Sequence, residues 1–209
     1  MSTPISDGLR AAVLAAALLV LAACEGGVGG GTATRETVRV GGTPVTIAAP
    51  AGFCVDRRST DVSAAGAFVL VTDCALLGAQ GEGGRAPVGA AMTASISAPE
   101  PGAATVTLAD LEGYAATPQG RAVLGRSGRG DAIRILETVR QGDVLYMLVE
   151  DRGPQPIAGV DPRFWRAFME VNGRIAALSV LGFEGSGVDA QTGFGFISAF
   201  AANIRAANG

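Results

Sequence analysis

Two β-hairpins in the second half of the chain show the clearest pattern of apolar and polar positions. Their four predicted strands cover residues 132–140, 143–150, 163–171 and 174–182. Gln141-Gly142 separates the first two runs, and Asn172-Gly173 separates the last two. Such a dipeptide between β-rich runs predicts a tight turn, because Asn and Gly tolerate the positive φ that the turn requires. In the third strand Trp165, Ala167, Met169 and Val171 share one face, and Phe164, Arg166, Phe168 and Glu170 share the other.

Shorter β-rich runs precede these hairpins. We expect strands over residues 37–40, 45–48, 53–56, 67–72 and 88–97. The first two flank the Gly- and Pro-containing segment 41–44 and are predicted to form a hairpin. Residues 61–66 fit either a loop or a single helical turn. Segments 77–87 and 152–162 are predicted loops, since the first is rich in Gly and the second contains three prolines.

Two helices are predicted from their N-terminal caps and apolar spacing. Thr107 and Asp110 form a capping-box pattern that starts a helix over residues 108–116, which Pro118 is expected to end. Asp189 is the expected N-cap of a helix over residues 190–206. Its apolar stripe contains Phe196, Ile197, Phe200, Ala201 and Ile204. Gly193 and Gly195 are predicted to let this helix approach a sheet closely.

These elements predict an α+β fold: an antiparallel β-sheet with a mid-chain helix and a C-terminal amphipathic helix, in one domain over residues 35–209. The order and length of the elements resemble the PsbP-like sandwich. That resemblance implies a fold only. Members of the family serve mainly as assembly or binding accessories.

The N-terminus predicts export. Arg10 is followed by an apolar run over residues 11–23, too short to span a bilayer and typical of a signal peptide. Leu21-Ala22-Ala23-Cys24 resembles the lipobox of bacterial lipoproteins, which implies cleavage before Cys24 and lipidation of its sulfur. Residues 1–23 are therefore the predicted signal peptide, and residues 24–34 are the lipidated cysteine with a Gly-rich tether. The alternative is a secreted protein with an unmodified cysteine at the cut.

The predicted location is the bacterial envelope, with the domain facing the periplasm. Glu25 follows the lipid cysteine in place of the Asp that resembles an inner-membrane retention signal. This favours the outer membrane. The expected partners are the membrane, through the anchor, and an unknown envelope protein or small ligand.

Composition excludes several chemistries. The chain has no His and no Lys. Ser-His-Asp and Cys-His sites, histidine-ligated zinc, Walker A loops and Schiff bases therefore cannot form. The net charge of −3 predicts no nucleic-acid partner. No cofactor, catalytic or metal site is predicted.

Two cysteines besides Cys24 remain. In an oxidising compartment Cys54 and Cys74 are predicted to form a disulfide, because they lie in or beside strands that adjacent pairing would bring together. Two free buried thiols are the alternative.

Few polar residues stand out as chemical candidates. Gly125-Arg126-Ser127-Gly128 has some likeness to a nucleophile elbow but is interpreted as a flexible turn. The carboxylates of the predicted proline loop, Glu150, Asp151 and Asp161, could meet a hard cation such as calcium, although a solvated acidic loop fits better. The aromatic cluster of Phe164, Trp165 and Phe168 is interpreted as core rather than as a ligand site.

The prediction is a non-enzymatic binding or assembly accessory at the membrane surface. A carboxylate- or metal-dependent hydrolase of the envelope is the alternative, and a cleft with two or more carboxylates would favour it. A structural lipoprotein without a discrete ligand is the third hypothesis. An apolar patch rimmed with polar groups would favour the binding protein.

Overall fold

The structure is a computed structural model, and it describes residues 33–78, 87–98 and 106–209. These residues lie in one compact unit, Thr32–Gly209. The predicted signal peptide, the lipobox cysteine Cys24 and the tether up to residue 32 fall outside the described residues. The predictions that concern them stay predictions.

Nine strands make up most of the described fold. They are β1 (Arg35–Val40), β2 (Thr43–Ala48), β3 (Phe53–Ser63), β4 (Gly66–Asp73), β5 (Ala90–Ser97), β6 (Ile133–Gln141), β7 (Val144–Asp151), β8 (Val160–Val171) and β9 (Arg174–Phe183). Strands β3 to β9 form a seven-stranded sheet in the order β3-β4-β5-β9-β8-β7-β6, and β1 and β2 form a separate hairpin. Each pair of neighbouring strands is antiparallel.

Three α-helices complete the layers: α1 (Leu108–Ala115), α2 (Pro118–Leu124) and α3 (Ala190–Asn208). Helix α3 and the β1–β2 hairpin pack on one face of the sheet, which we call the first face. Helices α1 and α2 pack on the opposite, second face. The predicted α+β class is therefore confirmed. None of the helices in the described residues is long and apolar enough to cross a bilayer.

The first face contains the larger core. The predicted apolar stripe of α3 is confirmed, because Ile197, Phe200, Ala201 and Ile204 are fully buried and Phe196 packs against them. The alternation in β8 is also confirmed. Trp165 and the residues that share its face enter this core, whereas Phe164 enters the core under α1 and α2.

Local signals placed most caps and turns correctly. Both hydrogen bonds of the capping box between Thr107 and Asp110 are present, and Asp189 caps α3 by accepting a hydrogen bond from the Thr192 N–H at 2.8 Å. Asn172 and Gly173 have φ values of 51° and 72°, as the hairpin prediction requires. A Cβ on Gly193 would lie 3.0 Å from Trp165 Cδ1, so this glycine does allow close approach, whereas Gly195 faces open space.

Three expectations about irregular segments were wrong. Residues 61–63 continue β3 through a bulge after Asp56, because a polar edge strand needs no apolar alternation. Pro118 was expected only to end α1, but it also begins a second helix, α2. Thr117 is the N-cap of α2, and the proline occupies a first-turn position that needs no N–H. The proline loop is shorter than predicted, since β8 begins at Val160 and bulges before Phe164.

Candidate functional site

Part of the second face of the sheet is not covered by any helix in the described residues. Helices α1 and α2 pack over β6, β7 and the near side of β8. The adjoining side of β9, β5 and β4 carries small, hydroxyl-bearing and apolar residues. We call this surface the open half; its residues are Phe68, Leu70, Ala91, Thr93, Ser95, Ala177, Ser179 and Leu181.

The strand register aligns these residues in rows across the sheet. Arg166 on β8 pairs with Ser179 on β9, which pairs with Thr93 on β5. Paired residues in neighbouring strands project from the same face, so these three side chains leave the sheet side by side. We call these three residues the polar row. The next row runs through Phe168, Ala177, Ser95 and Phe68.

Arg166 is a charged side chain that forms no hydrogen bond and no ion pair among the described residues, although its guanidinium lies 5.9 Å from the centre of the Phe164 ring. Its Nε is enclosed and makes no hydrogen bond. Burial lowers the pKa of Arg166 to about 10, and the positive charge of Arg126 contributes in the same direction. The guanidinium nevertheless remains charged at neutral pH. It therefore holds a positive charge at the boundary between α1–α2 and the open half.

Arg126 approaches the same aromatic ring from the other side of the boundary but is well anchored. The guanidinium carbon of Arg126 lies 4.4 Å from the centre of the Phe164 ring, compared with 5.9 Å for Arg166. Arg126 donates to Gln155 Oε1 through Nε at 3.0 Å and to the Asp161 carbonyl through Nη2 at 2.9 Å. Only its Nη1 is enclosed without a partner. Burial lowers the pKa of Arg126, against the opposing attraction of Asp151 and Asp161.

A hollow of about 390 Å³ lies on the open half next to the row that contains Phe168 and Ala177. Asp61, Phe68, Ser95, Ser97, Ile175 and Ala177 are among the residues that line it. Its walls are thus partly apolar and partly hydroxylated. It is a broad depression that is largely open to solvent rather than an enclosed cavity.

Asp151 does not belong to a solvated acidic loop, and that expectation was wrong. It is fully buried, and its carboxylate accepts hydrogen bonds from the backbone N–H groups of Arg126, Ser127 and Gly153 at 2.7–2.9 Å. Burial by itself raises the pKa of Asp151, but the hydrogen bonds from Ser127, Gly153 and Arg126 outweigh it and hold the pKa below its usual value. Asp151 therefore organises the turn after α2.

The chain bends at Ser127, as predicted, and the Asp151 carboxylate holds this turn through hydrogen bonds. The Ser127 hydroxyl donates to Asp151 Oδ1 at 2.8 Å. Two glycines permit this packing, because a Cβ on Gly153 would lie 2.4 Å from Ser127 Oγ and one on Gly125 would lie 2.2 Å from Ile133 Cδ1. The hydroxyl is thus committed to a structural carboxylate.

The two other carboxylates are each paired with a neighbouring arginine. Glu150 lies 2.8 Å from Arg152, and Asp161 lies 3.6 Å from Arg163. Glu150 and Asp151 are consecutive in β7 and so project from opposite faces of the sheet. In the part of the chain that the structure describes, no three His, Cys, Asp or Glu side chains are grouped so as to hold a metal ion.

Cys54 and Cys74 lie at disulfide distance. Their Cα atoms are 4.8 Å apart, and the two sulfurs are bonded. Cys54 lies opposite Thr72 in the β3–β4 pair, and the N–H of Cys74 donates to the Gly52 carbonyl at 3.1 Å. The pair therefore ties the start of β3 to the end of β4.

The aromatic cluster divides between the two faces. Trp165 is buried on the first face, where its Nε1 donates to the Ala190 carbonyl at 2.7 Å and its ring contacts Phe194. Phe164 is buried on the second face, so the interpretation as core is confirmed for both residues. Phe168 is half-buried at the edge of the open half.

Sequence analysis did not identify Arg166 as a functional candidate. The pattern placed this charge between Phe164 and Phe168 on one face of a strand, which was a usable signal. The missing information was the lack of an acidic partner, since that depends on strands distant in sequence.

No protein-family model and no curated protein matches the chain. Among solved structures, the Ran-binding protein Mog1p of Saccharomyces cerevisiae is similar, with 12% identity and a TM-score of 0.46 over 82% of this chain and 95% of that chain. A mutant of the protein Mog1 has 12% identity and a TM-score of 0.39 over 83% of this chain and 89% of that one. Neither is a PsbP protein, so the PsbP-like assignment stays a prediction.

Proposed function

We propose that this protein is a lipid-anchored lipoprotein of the bacterial envelope whose domain is a non-enzymatic binding accessory. The observation that carries the binding role is Arg166, a largely buried guanidinium without a hydrogen bond or ion pair, which lies one row of side chains away from the hollow of the open half. An uncompensated charge costs stability in a low-dielectric setting. A ligand or partner group that pairs with Arg166 would offset this cost.

The anchoring part of the proposal is supported by Leu21-Ala22-Ala23-Cys24 after a short apolar run. Two or three acyl chains on one cysteine hold a protein firmly at a bilayer, whereas one chain binds only marginally. A tether of about ten Gly-rich residues has a coil span of roughly 15–20 Å, which would keep the domain close to the membrane surface.

The binding part is supported by the contrast between Arg166 and the carboxylates. Asp151 has its oxygens filled by four hydrogen bonds, and Glu150 and Asp161 pair with their own arginines. Arg166, in contrast to these three carboxylates, has no hydrogen bond or ion pair among the described residues, and a guanidinium recognises anions and is a poor general base.

Membrane fractionation of cells tests the anchor. We expect the wild-type protein in the membrane fraction, with a mature N-terminal Cys24 whose mass includes diacylglycerol. Cys24→Ala should release the protein or leave an uncleaved precursor, and Cys54→Ala, the matched cysteine control, should stay in the membrane. A wild-type chain with an unmodified N-terminus at another position would contradict the anchor.

Photo-crosslinking in cells tests the binding role. A photoreactive residue at Ser95, which is exposed on the open half, should yield a discrete adduct of protein or small molecule. The same residue at Arg39, which is exposed on the β1–β2 hairpin, is the control. Equal labelling at both positions, or no adduct at Ser95, would contradict a binding site on the open half.

A further inference from the structure

We infer that the open half is a site for a single-tailed anionic amphiphile, with its oxyanion head group on the polar row and its apolar tail in the hollow. The inference rests on the proposed binding function and adds the chemical class of the ligand. Arg166, Ser179 and Thr93 would hold the head group. Phe68, Ile175 and Ala177 would contact the tail.

The polar row has the donors that an oxyanion requires. A guanidinium presents several N–H groups in a planar fork that fits a carboxylate or a phosphate. Ser179 and Thr93 add one hydroxyl donor each, at neighbouring strand spacings of about 4.8 Å. None of these three side chains hydrogen-bonds to another group in the described residues. Arg166 Nε is enclosed and Ser179 is only 6% exposed, so a ligand would reach the polar row first through the outer guanidinium nitrogens of Arg166 and the Thr93 hydroxyl.

Arg166 also has the electrostatic setting of an anion site. Its Nε is enclosed, and the guanidinium of Arg126 contacts the same Phe164 ring. Arg126 already bonds Gln155 and the Asp161 carbonyl, so it contributes positive potential without competing for the ligand. A carboxylate or phosphate next to Arg166 would be attracted by both charges.

The hollow would hold the apolar tail of the ligand. It shares Ala177, Ser95 and Phe68 with the row beside the polar row, so the two sites are continuous. From β8 to β4 is three strand spacings, or about 14 Å, which suits an extended alkyl chain of medium length. Ile175 and Phe68 provide apolar contact for such a chain, and the exposed fraction of the Phe68 side chain is 38%.

The charges of Asp61 and Arg166 favour one orientation of the ligand on the open half. Asp61 lies on the far rim of the hollow, opposite Phe68 in the β3–β4 pair. A negative head group would be repelled there and attracted at Arg166.

A titration of the full chain in phosphatidylcholine nanodiscs tests the inference. The probes are octanoate and octyl phosphate, with acetate, inorganic phosphate, octyl glucoside and octylammonium as comparisons. Amide chemical shifts report the location of binding. We expect saturable shifts at Thr93, Ser95 and Ser179 with octanoate and octyl phosphate. Acetate and phosphate should bind at least tenfold more weakly because they lack the tail.

Three variants separate the head group, the tail and the fold. Arg166→Gln should weaken octanoate binding at least tenfold, as expected for the loss of a charge-assisted hydrogen bond. Ser95→Trp should weaken it by filling the hollow while leaving Arg166 in place. Arg39→Gln, an exposed arginine on the β1–β2 hairpin, should leave the affinity unchanged.

Several results would overturn the inference. These are the absence of saturable shifts with octanoate, equal binding of octyl glucoside, equal binding of acetate, and full affinity in Arg166→Gln. Because the shifts report on the domain alone, the titration can fail while Cys24 is lipidated and Ser95 crosslinks to a protein. That combination would retain the proposed binding function and replace the amphiphile with a protein partner.

Discussion

The two faces of the seven-stranded sheet are covered in different ways. On the first face, α3 and the β1–β2 hairpin bury a continuous core that reaches from Phe53 to Trp165. On the second face, α1 and α2 bury only the side over β6 to β8, and Arg166 marks the boundary. The comparison teaches that one sheet can carry a face that is covered along its length and a face that the described helices cover only in part. At the boundary of the partly covered face, Arg166 Nε is enclosed without a hydrogen bond.

The largest expected effect comes from cutting a side chain on the closed face. Phe200 is fully buried between α3 and the sheet, so Phe200→Ala should lower the free energy of unfolding by about 3–5 kcal/mol. Phe168→Ala removes the same atoms at the edge of the open half and should have a much smaller effect, about 1 kcal/mol. Urea unfolding of both variants measures the difference. Equal losses would break the comparison of the two faces.

The next effect concerns β3 and β4, two strands whose second face carries no helix in the part of the chain that the structure describes. A disulfide that closes a loop of about 20 residues stabilises by roughly 3 kcal/mol in the chain-entropy model. Cys54→Ser and Cys74→Ser should each lower the melting temperature, and the double variant should lose no more than either single one. Thiol counting under denaturing conditions checks the premise. Two free thiols in protein isolated without reductant would disprove the disulfide.

A substitution at Asp151 tests how much the covered part of the second face contributes to stability. Asp151→Asn should lower the free energy of unfolding by about 2 kcal/mol, because an amide cannot accept all the bonds from Arg126, Ser127 and Gly153. The exposed Asp131→Asn is the control. Its free energy of unfolding should fall only by what a surface ion pair contributes, up to about 1 kcal/mol.

The same carboxylate predicts a pH dependence. The pKa of Asp151 in the folded protein lies below its ordinary value of 3.8. Its contribution to stability is therefore complete above that value and is lost as the pH falls through the folded-state pKa. Wild type should lose its advantage over Asp151→Asn in acid denaturation below about pH 4. An advantage that persists unchanged down to pH 2 would contradict this role.

The smallest expected effect concerns the two arginines at the boundary between α1–α2 and the open half. Arg166→Met removes a charge that has no partner among the described residues, so stability should be unchanged or should rise by up to about 1 kcal/mol. Arg126→Met removes the bonds to Gln155 and to the Asp161 carbonyl and should lower stability by about 1–2 kcal/mol. Thermal unfolding of the two variants gives the comparison. A destabilised Arg166→Met would show that Arg166 serves the fold.

Sequence by itself determined the elements and their caps, because these depend on contacts between near neighbours. The Asn172-Gly173 turn, the Asp189 cap and the alternation around Trp165 follow from local backbone preferences and from the repeat of the apolar positions. The second helix after Thr117 carried a local signal too, a proline at its first turn. It was missed because Pro118 was interpreted only as a helix terminator.

Tertiary structure decided the chemistry, because charge, burial and partners depend on residues far apart in the chain. Asp151 is followed by a polar loop, yet a turn more than twenty residues earlier in the chain buries it and fills its oxygens. Arg166 is one of sixteen basic residues, and nothing in its own strand shows that it lacks a partner. The pairing of β5 with β9 places Thr93 beside Ser179, and it is this distant pairing that assembles the polar row. A residue pattern fixes which face a side chain takes, but only the packed sheet determines what that side chain meets there.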